Sequence, residues 1–283
     1  MSAEHRLSYC GQQVRLYDHD RYQICLMAGS RVREALFALL AFNLEVSKTA
    51  DVVSEPITGM IRLQWWRESI ETIYDPDATV RKHAVVEALD SAVTAFDLPR
   101  DLFERLINAR ERDLDGEPPA DREDLLSYLD ETSVPLVQLM LKVCSCSGCE
   151  GAAMATGRAW GLIGLVRSSA YLAQRKQIMF PRDEIDAAGL SLGDYHELRS
   201  TEALKTLVRS SCQLAEEELA KARQGLGRQK REALLPFMVL VHLDHYLAAL
   251  KQADFDPFAM KGEEILKGAT LWKLLWRLWL KKP

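Results

Sequence analysis

Apolar residues in this 283-residue chain recur at spacings of three and four, segment after segment, and scarcely anywhere alternate with a period of two. A repeat near 3.6 residues places side chains on one face of an α-helix, so the chain is confined to helix-on-helix architectures. The pattern predicts an all-α fold with helices over 33–53, 59–74, 82–96, 100–114, 121–144, 151–174, 200–224 and 231–251. Breaks fall at Asp75-Pro76-Asp77, Leu98-Pro99-Arg100, Gly116 to Pro119, Phe180-Pro181-Arg182 and Asp254 to Phe258. None is long enough to separate a pair of domains. We therefore expect a short extension (1–14), one helical domain (15–258) and a basic, Trp-rich tail (259–283).

Composition narrows the function classes. A formal charge of -5 with no basic domain offers nothing to a phosphate backbone, so nucleic acid is not an expected partner. The first residues lack the apolar run of a secretory signal, and six cysteines do not make a disulfide framework, which predicts a reducing compartment. Cys144, Cys146 and Cys149 could share a metal ion, but no fourth ligand is near, and packing as small apolar residues is the plainer reading. His242 and His245 share a helix face, yet they sit in an apolar helix and more simply cap or edge it. No uninterrupted run of 18 apolar residues predicts a membrane span.

Three segments go beyond generic helices: SRVREALFALLAFNLE (30–45) followed by Gln64-Trp65-Trp66-Arg67, then YLDETS (128–133), then GRAWGLIGLVR (157–167) running to Ile178-Met179-Phe180-Pro181. In that order and at those distances they resemble the squalene/phytoene synthase family over residues 15–255. The resemblance implies a single isoprenoid-synthase-fold helical domain around a central cavity. It also implies two aspartate-rich motifs that hold Mg²⁺ and two prenyl diphosphates. Magnesium wants octahedral oxygen ligands, and aspartates four apart on a helix project from one face.

At those motif positions the chain departs from the family. Ser47 and Lys48 take the first two aspartate positions, leaving Asp51, and Ser168 and Leu172 replace both aspartates of the second motif, although Arg167 is kept. Glu45 and Asp51 lie about 120° apart on a helix, too far round to form one ligating face. Lys48, three residues from each, is expected to pair with them. The resemblance thus implies no catalytic residue and no cofactor; Mg²⁺ enters only if an altered prenyltransferase condensing two prenyl diphosphates persists.

One branch of the family fits these departures. The 33–45 pattern, Val53-Ser54-Glu55, Arg62 to Glu68, Ile73-Tyr74 and Asp254 to Phe258 resemble the squalene/phytoene synthase-like assembly factors of mitochondrial respiratory complex I and their bacterial relatives. That implies a pseudoenzyme, with complex I subunits or assembly intermediates as partners. The short, mixed-charge start has no transit-peptide character and points to a bacterial member. The expected location is cytoplasmic, peripheral on the inner face of the cytoplasmic membrane. A polyprenyl lipid or quinone binder is a further alternative.

The residues that could still face a ligand are Arg33, Asn43, Glu45, Tyr128 and Arg167. Asn43 and Glu45 read best as a buried hydrogen-bonding pair joining two helices. Arg167 could hold a phosphate or lipid headgroup, or pair with Glu45 or Asp51. In the tail, Trp272, Leu275, Trp276, Trp279 and Leu280 follow a helical stripe beside Lys273, Arg277 and Lys281. That is the pattern of an amphipathic helix lying on an anionic membrane surface, or of a stripe closing the core. Residues 267–283 hold five basic and no acidic residues, so the charge of -5 divides into +5 for them and -10 for the rest.

Overall fold

The computed structural model describes residues 7–227, 229–260 and 269–283. It is all-α, with no strand among the described residues. In chain order the helices are α1 (Tyr9–Tyr17), α2 (His19–Cys25), α3 (Ser30–Ser47), α4 (Pro56–Tyr74), α5 (Ala84–Phe96), α6 (Arg100–Asn108), α7 (Arg112–Asp115) and α8 (Arg122–Thr132). They continue as α9 (Val134–Val143), α10 (Glu150–Arg167), α11 (Ser169–Gln174), α12 (Arg182–Ala188), α13 (Leu192–His196), α14 (Glu202–Gly225), α15 (Val239–Gln252) and α16 (Ala269–Leu280). Of the tail, 261–268 lies outside the described residues, as do 1–6 of the N-terminal extension.

Several predicted helices divide where local chemistry interrupts the backbone ladder. The segment 121–144 splits at Ser133, because Pro135 has no N–H and is tolerated only in the first turn of α9. Pro236 likewise turns 232–238 into a 3₁₀ helix ahead of α15. The segment 151–174 breaks at Ser168, whose hydroxyl donates to the Leu165 carbonyl at 2.9 Å. The 3₁₀-plus-α15 stretch Glu232–Gln252 is long and apolar enough to cross a membrane, but 78% of its most apolar window is buried, as in a core helix.

The helical body gathers into two compact units, 1–114 with 135–148 and 229–236, and 115–134 with 149–228 and 237–283. In the first, α3 is the central element. Ten of its residues, Ala35 through Asn43 and Val46, are buried, and it packs on α1 and α5. Phe42 meets Trp66 of α4 edge-to-face at 5.4 Å and Phe103 of α6 at 5.5 Å, so the core of this unit is an aromatic cluster.

In the second unit α10 and α14 pack along their length. Small residues of α10 permit the close approach of α8 and of Val134 just beyond it. A Cβ on Gly157 would lie 2.8 Å from the Val134 Cα, and one on Gly161 2.5 Å from a Leu129 methyl. Tyr195 of α13 is fully buried, and its hydroxyl donates to the Ser169 carbonyl at 3.0 Å, fixing the short α11 against α13.

Candidate functional site

The first motif lies at the C-terminus of α3, in the first unit. The helix stops at Ser47, earlier than the apolar pattern predicts. Ser47 Oγ donates to the Leu44 carbonyl at 3.3 Å and Thr49 Oγ1 to the Glu45 carbonyl at 3.5 Å, and such hydroxyls compete with the helical ladder. Lys48 is the cap residue, and Asp51 falls in the turn beyond it, its N–H bonded to the Lys48 carbonyl at 3.0 Å. Glu45 and Asp51 are therefore on different elements, and helical spacing no longer relates them.

Lys48 turns its ammonium onto the Tyr17 ring, 3.0 Å from the centroid. Burial lowers its pKa, with Glu45 and Asp51 opposing from nearby. The expected carboxylate partners thus act on Lys48 through space, while the ring is what its ammonium touches. Glu45 has a different partner: Arg62 Nη2 of α4 donates to its Oε2 at 2.5 Å. Spacing does not single out Arg62, because the pair joins helices across 17 residues of sequence. Asn43 is buried, but its Oδ1 finds no donor among the described residues, so the predicted Asn43–Glu45 hydrogen-bonding pair is replaced by Glu45–Arg62. Arg33, in the first turn of α3, lies near enough to Cys25 to offset part of the burial that raises that thiol's pKa.

The second motif, in the second unit, is cut by the α10–α11 break. Arg167 ends α10 and is exposed, with its guanidinium 3.8 Å from the centroid of the Tyr246 ring of α15. Ser168 caps α10. Leu172, on α11, lines a narrow crevice of about 10 Å³ with Tyr195 and Ser211, room for about one water. Tyr128 is buried in α8.

Few metal-ligating oxygens gather at these positions. Only Asp51 brings a carboxylate to the first motif positions, Lys48 brings a cation, and Ser168 and Leu172 bring no anionic oxygen. No group of three or more His, Cys, Asp or Glu residues among the described residues could hold a metal ion. The cysteine trio also differs from its apolar reading: Cys144 is a buried free thiol with its pKa pushed up to about 12 by burial, whereas Cys146 and Cys149 are disulfide-bonded. Ser145 and Gly148 both adopt positive φ in the turn that carries them.

The tail helix α16 meets the rest of the second unit along one edge. Leu274 and Leu278 are buried, while Trp272, Trp276 and Trp279 are 76%, 61% and 66% exposed on the opposite face. The predicted stripe does not close the core: its tryptophans and Leu280 face out and Leu275 is half-buried, while Leu274 and Leu278, which lie outside it, pack on the body; the Trp276 and Trp279 rings are stacked at 5.3 Å. Lys273 Nζ reaches His245 Nε2 of α15 at 3.1 Å, and Arg223 Nε donates to the Pro283 backbone oxygen at 3.2 Å while its Nη2 meets Asp244 at 2.7 Å. Arg277, Lys281 and Lys282 are exposed.

The squalene/phytoene synthase model matches residues 14–279. The chain belongs to this family. Among curated proteins it is 27% identical over 273 residues to NADH dehydrogenase (ubiquinone) complex I, assembly factor 6 of Mus musculus, covering 95% of this chain and 81% of that one. The Homo sapiens counterpart is 26% identical over 273 residues, with the same shares. Presqualene diphosphate synthase of Sinorhizobium fredii is 27% identical over 177 residues, 61% of each chain. Among solved structures, a dehydrosqualene synthase in complex with ligand superposes with a TM-score of 0.84 at 16% identity, over 97% of this chain and 96% of that one. Squalene synthase HpnC from Alicyclobacillus acidocaldarius gives 0.76 at 20% identity, over 88% and 94%. At such identities the structures establish the isoprenoid-synthase fold, and the sequence relatives add similarity to complex I assembly factors.

Proposed function

We propose that this protein is a non-catalytic member of the family that assists assembly of respiratory complex I at a membrane surface. The observation that carries the non-catalytic reading is at the end of α3: Lys48 occupies an aspartate position of the family motif and stacks on Tyr17, and the helix ends before Asp51. Ionising a prenyl diphosphate requires the leaving group's charge to be neutralised, and these residues supply no metal-holding set for it. The assembly role is supported by similarity to assembly factor 6 over 95% of the chain. Complex I subunits or their assembly intermediates are the partners of this reading. Placement on the inner face of a bacterial cytoplasmic membrane is supported by the outward Trp272, Trp276 and Trp279 and the exposed Arg277, Lys281 and Lys282.

Two measurements test it. Deleting the gene from a strain that makes complex I is expected to lower NADH:ubiquinone oxidoreductase activity and the amount of assembled complex; unchanged activity sinks the assembly role. Purified protein incubated with Mg²⁺ and farnesyl or geranylgeranyl diphosphate is expected to give no condensation product. A head-to-head product would instead establish the altered prenyltransferase.

A further inference from the structure

A cavity of about 510 Å³ opens on the first unit beside Glu45 and Arg62. Its apolar wall is Val52, Ile61 and Trp65, and its polar members include Glu45, Arg62 and His83. The inner wall is stiff: the Trp65 and Trp66 rings meet at 5.0 Å, His83 sits edge-on to both at 5.4 and 5.5 Å, and Trp66 is anchored on Phe42. The rim is apolar, with Val52 60% and Ile61 64% exposed. A concave site of this size, mostly apolar with a few converging polar groups, has the dimensions of a small-molecule site.

The charges select the ligand. Glu45 already neutralises Arg62, so a diphosphate or carboxylate would have to compete with a carboxylate in place at 2.5 Å. A neutral acceptor does not. The guanidinium keeps donors that Glu45 leaves unused, since only Nη2 meets that carboxylate.

We propose that this cavity binds a neutral amphipathic molecule, an apolar chain or ring bearing a carbonyl oxygen, with Trp65 and Ile61 against the apolar body and the Arg62 guanidinium donating to the oxygen. Two sources share that chemistry, a quinone ring and a fatty acyl ester. Calorimetric titration of the full chain with a decyl-substituted benzoquinone and with a lauroyl monoglyceride tells them apart by which binds. At least one is expected to bind in the micromolar range. Laurate, with the same chain but an anionic head, and farnesyl diphosphate are expected to bind about tenfold more weakly or not at all. Ile61→Asp changes an exposed rim residue and is expected to abolish binding with the fold intact. Arg62→Lys keeps a charge for Glu45 but loses the fork of donors, and is expected to weaken binding about tenfold. Failure of both neutral ligands to bind, equal binding of the anions, or binding unaffected by Ile61→Asp overturns the proposal. The assembly role does not depend on it, since the deletion phenotype is read without any ligand.

Discussion

The ammonium of Lys48 lies 3.0 Å from the centroid of the Tyr17 ring, so the cation that displaced a motif aspartate is held by an aromatic residue of α1. Such a contact at a partly exposed site is worth about 1 kcal/mol. Tyr17→Ala is expected to lower stability by about that amount in denaturant titrations. Restoring carboxylates at this end alone is expected to fail: Ser47→Asp with Lys48→Asp places them at the last helical residue and its cap, while Ser168 and Leu172 are unchanged. The check is thermal stabilisation of the double variant by Mg²⁺ with a non-hydrolysable prenyl diphosphate analogue. A clear Mg²⁺-dependent rise in Tm would show that carboxylates at this end are enough to rebuild the site.

Two glycines of α10 should respond to alanine with opposite signs. At Gly157 the new Cβ meets the Val134 backbone, 2.8 Å from Cα and 2.9 Å from N, and neither atom can rotate away. Gly157→Ala is expected to destabilise by about 2–3 kcal/mol as α10 is forced off the chain beyond α8. Gly164, in the same helix, has nothing within 4 Å of its Cβ position. Gly164→Ala should stabilise by about 0.5–1 kcal/mol through backbone entropy and helix propensity. Chemical denaturation of the two variants beside the parent decides both.

Acid should loosen α16 through His245. Burial first, and then the Lys273 ammonium, hold the imidazole pKa below its ordinary value of 6.5, with Asp244 opposing. An ammonium can only donate, so its contact with Nε2 requires a neutral ring. Because the unfolded chain takes up this proton more readily than the folded one, the stability tied to neutral His245 is present above pH ~6.5 and is lost as pH falls through and below it. The protection of amides within Ala269–Leu280, taken relative to their intrinsic exchange rate at each pH, is expected to fall on acidification through this range, and His245→Gln should flatten the response. An identical pH profile in the variant would assign the effect elsewhere.

How far the sequence discloses all this depends on the range of each interaction. The all-α class follows from periodicity, since burying one face of each helix is a local rule that Leu204, Leu207, Val208 and Cys212 of α14 obey. Helix ends are less legible. The end at Ser47 comes from hydroxyls competing for carbonyls three and four residues back, in a segment without Gly or Pro to mark it. The loss of motif aspartates is visible residue by residue. Where the remaining groups turn is not: Glu45 finds Arg62 on α4 and Arg167 lies over Tyr246 of α15, and nothing in the spacing names either partner. In the tail, the stripe is legible but not the face that packs, because burial of Leu274 and Leu278 rather than of the stripe is settled by the shape of the body they meet.

That outward tryptophan face sets the last expectation. If α16 rests on a bilayer, Trp272, Trp276 and Trp279 enter the headgroup region while Leu274 and Leu278 keep the helix on the protein. Lys273 is engaged with His245, so attraction to anionic lipid falls to Arg277, Lys281 and Lys282. Each basic residue near such a surface contributes about 1 kcal/mol. Arg277→Gln with Lys281→Gln is thus expected to weaken co-sedimentation with phosphatidylglycerol-containing vesicles by roughly 30-fold at low salt, a loss of about 2 kcal/mol. High salt should reduce binding of the parent toward that of the variant, because exposed charges are screened over about 10 Å at 0.1 M. Trp276→Ala with Trp279→Ala should weaken binding at either ionic strength, on anionic and zwitterionic vesicles alike, since the loss is apolar. Parent protein that stays in the supernatant with anionic vesicles at low salt would instead leave the tryptophan face to a protein partner.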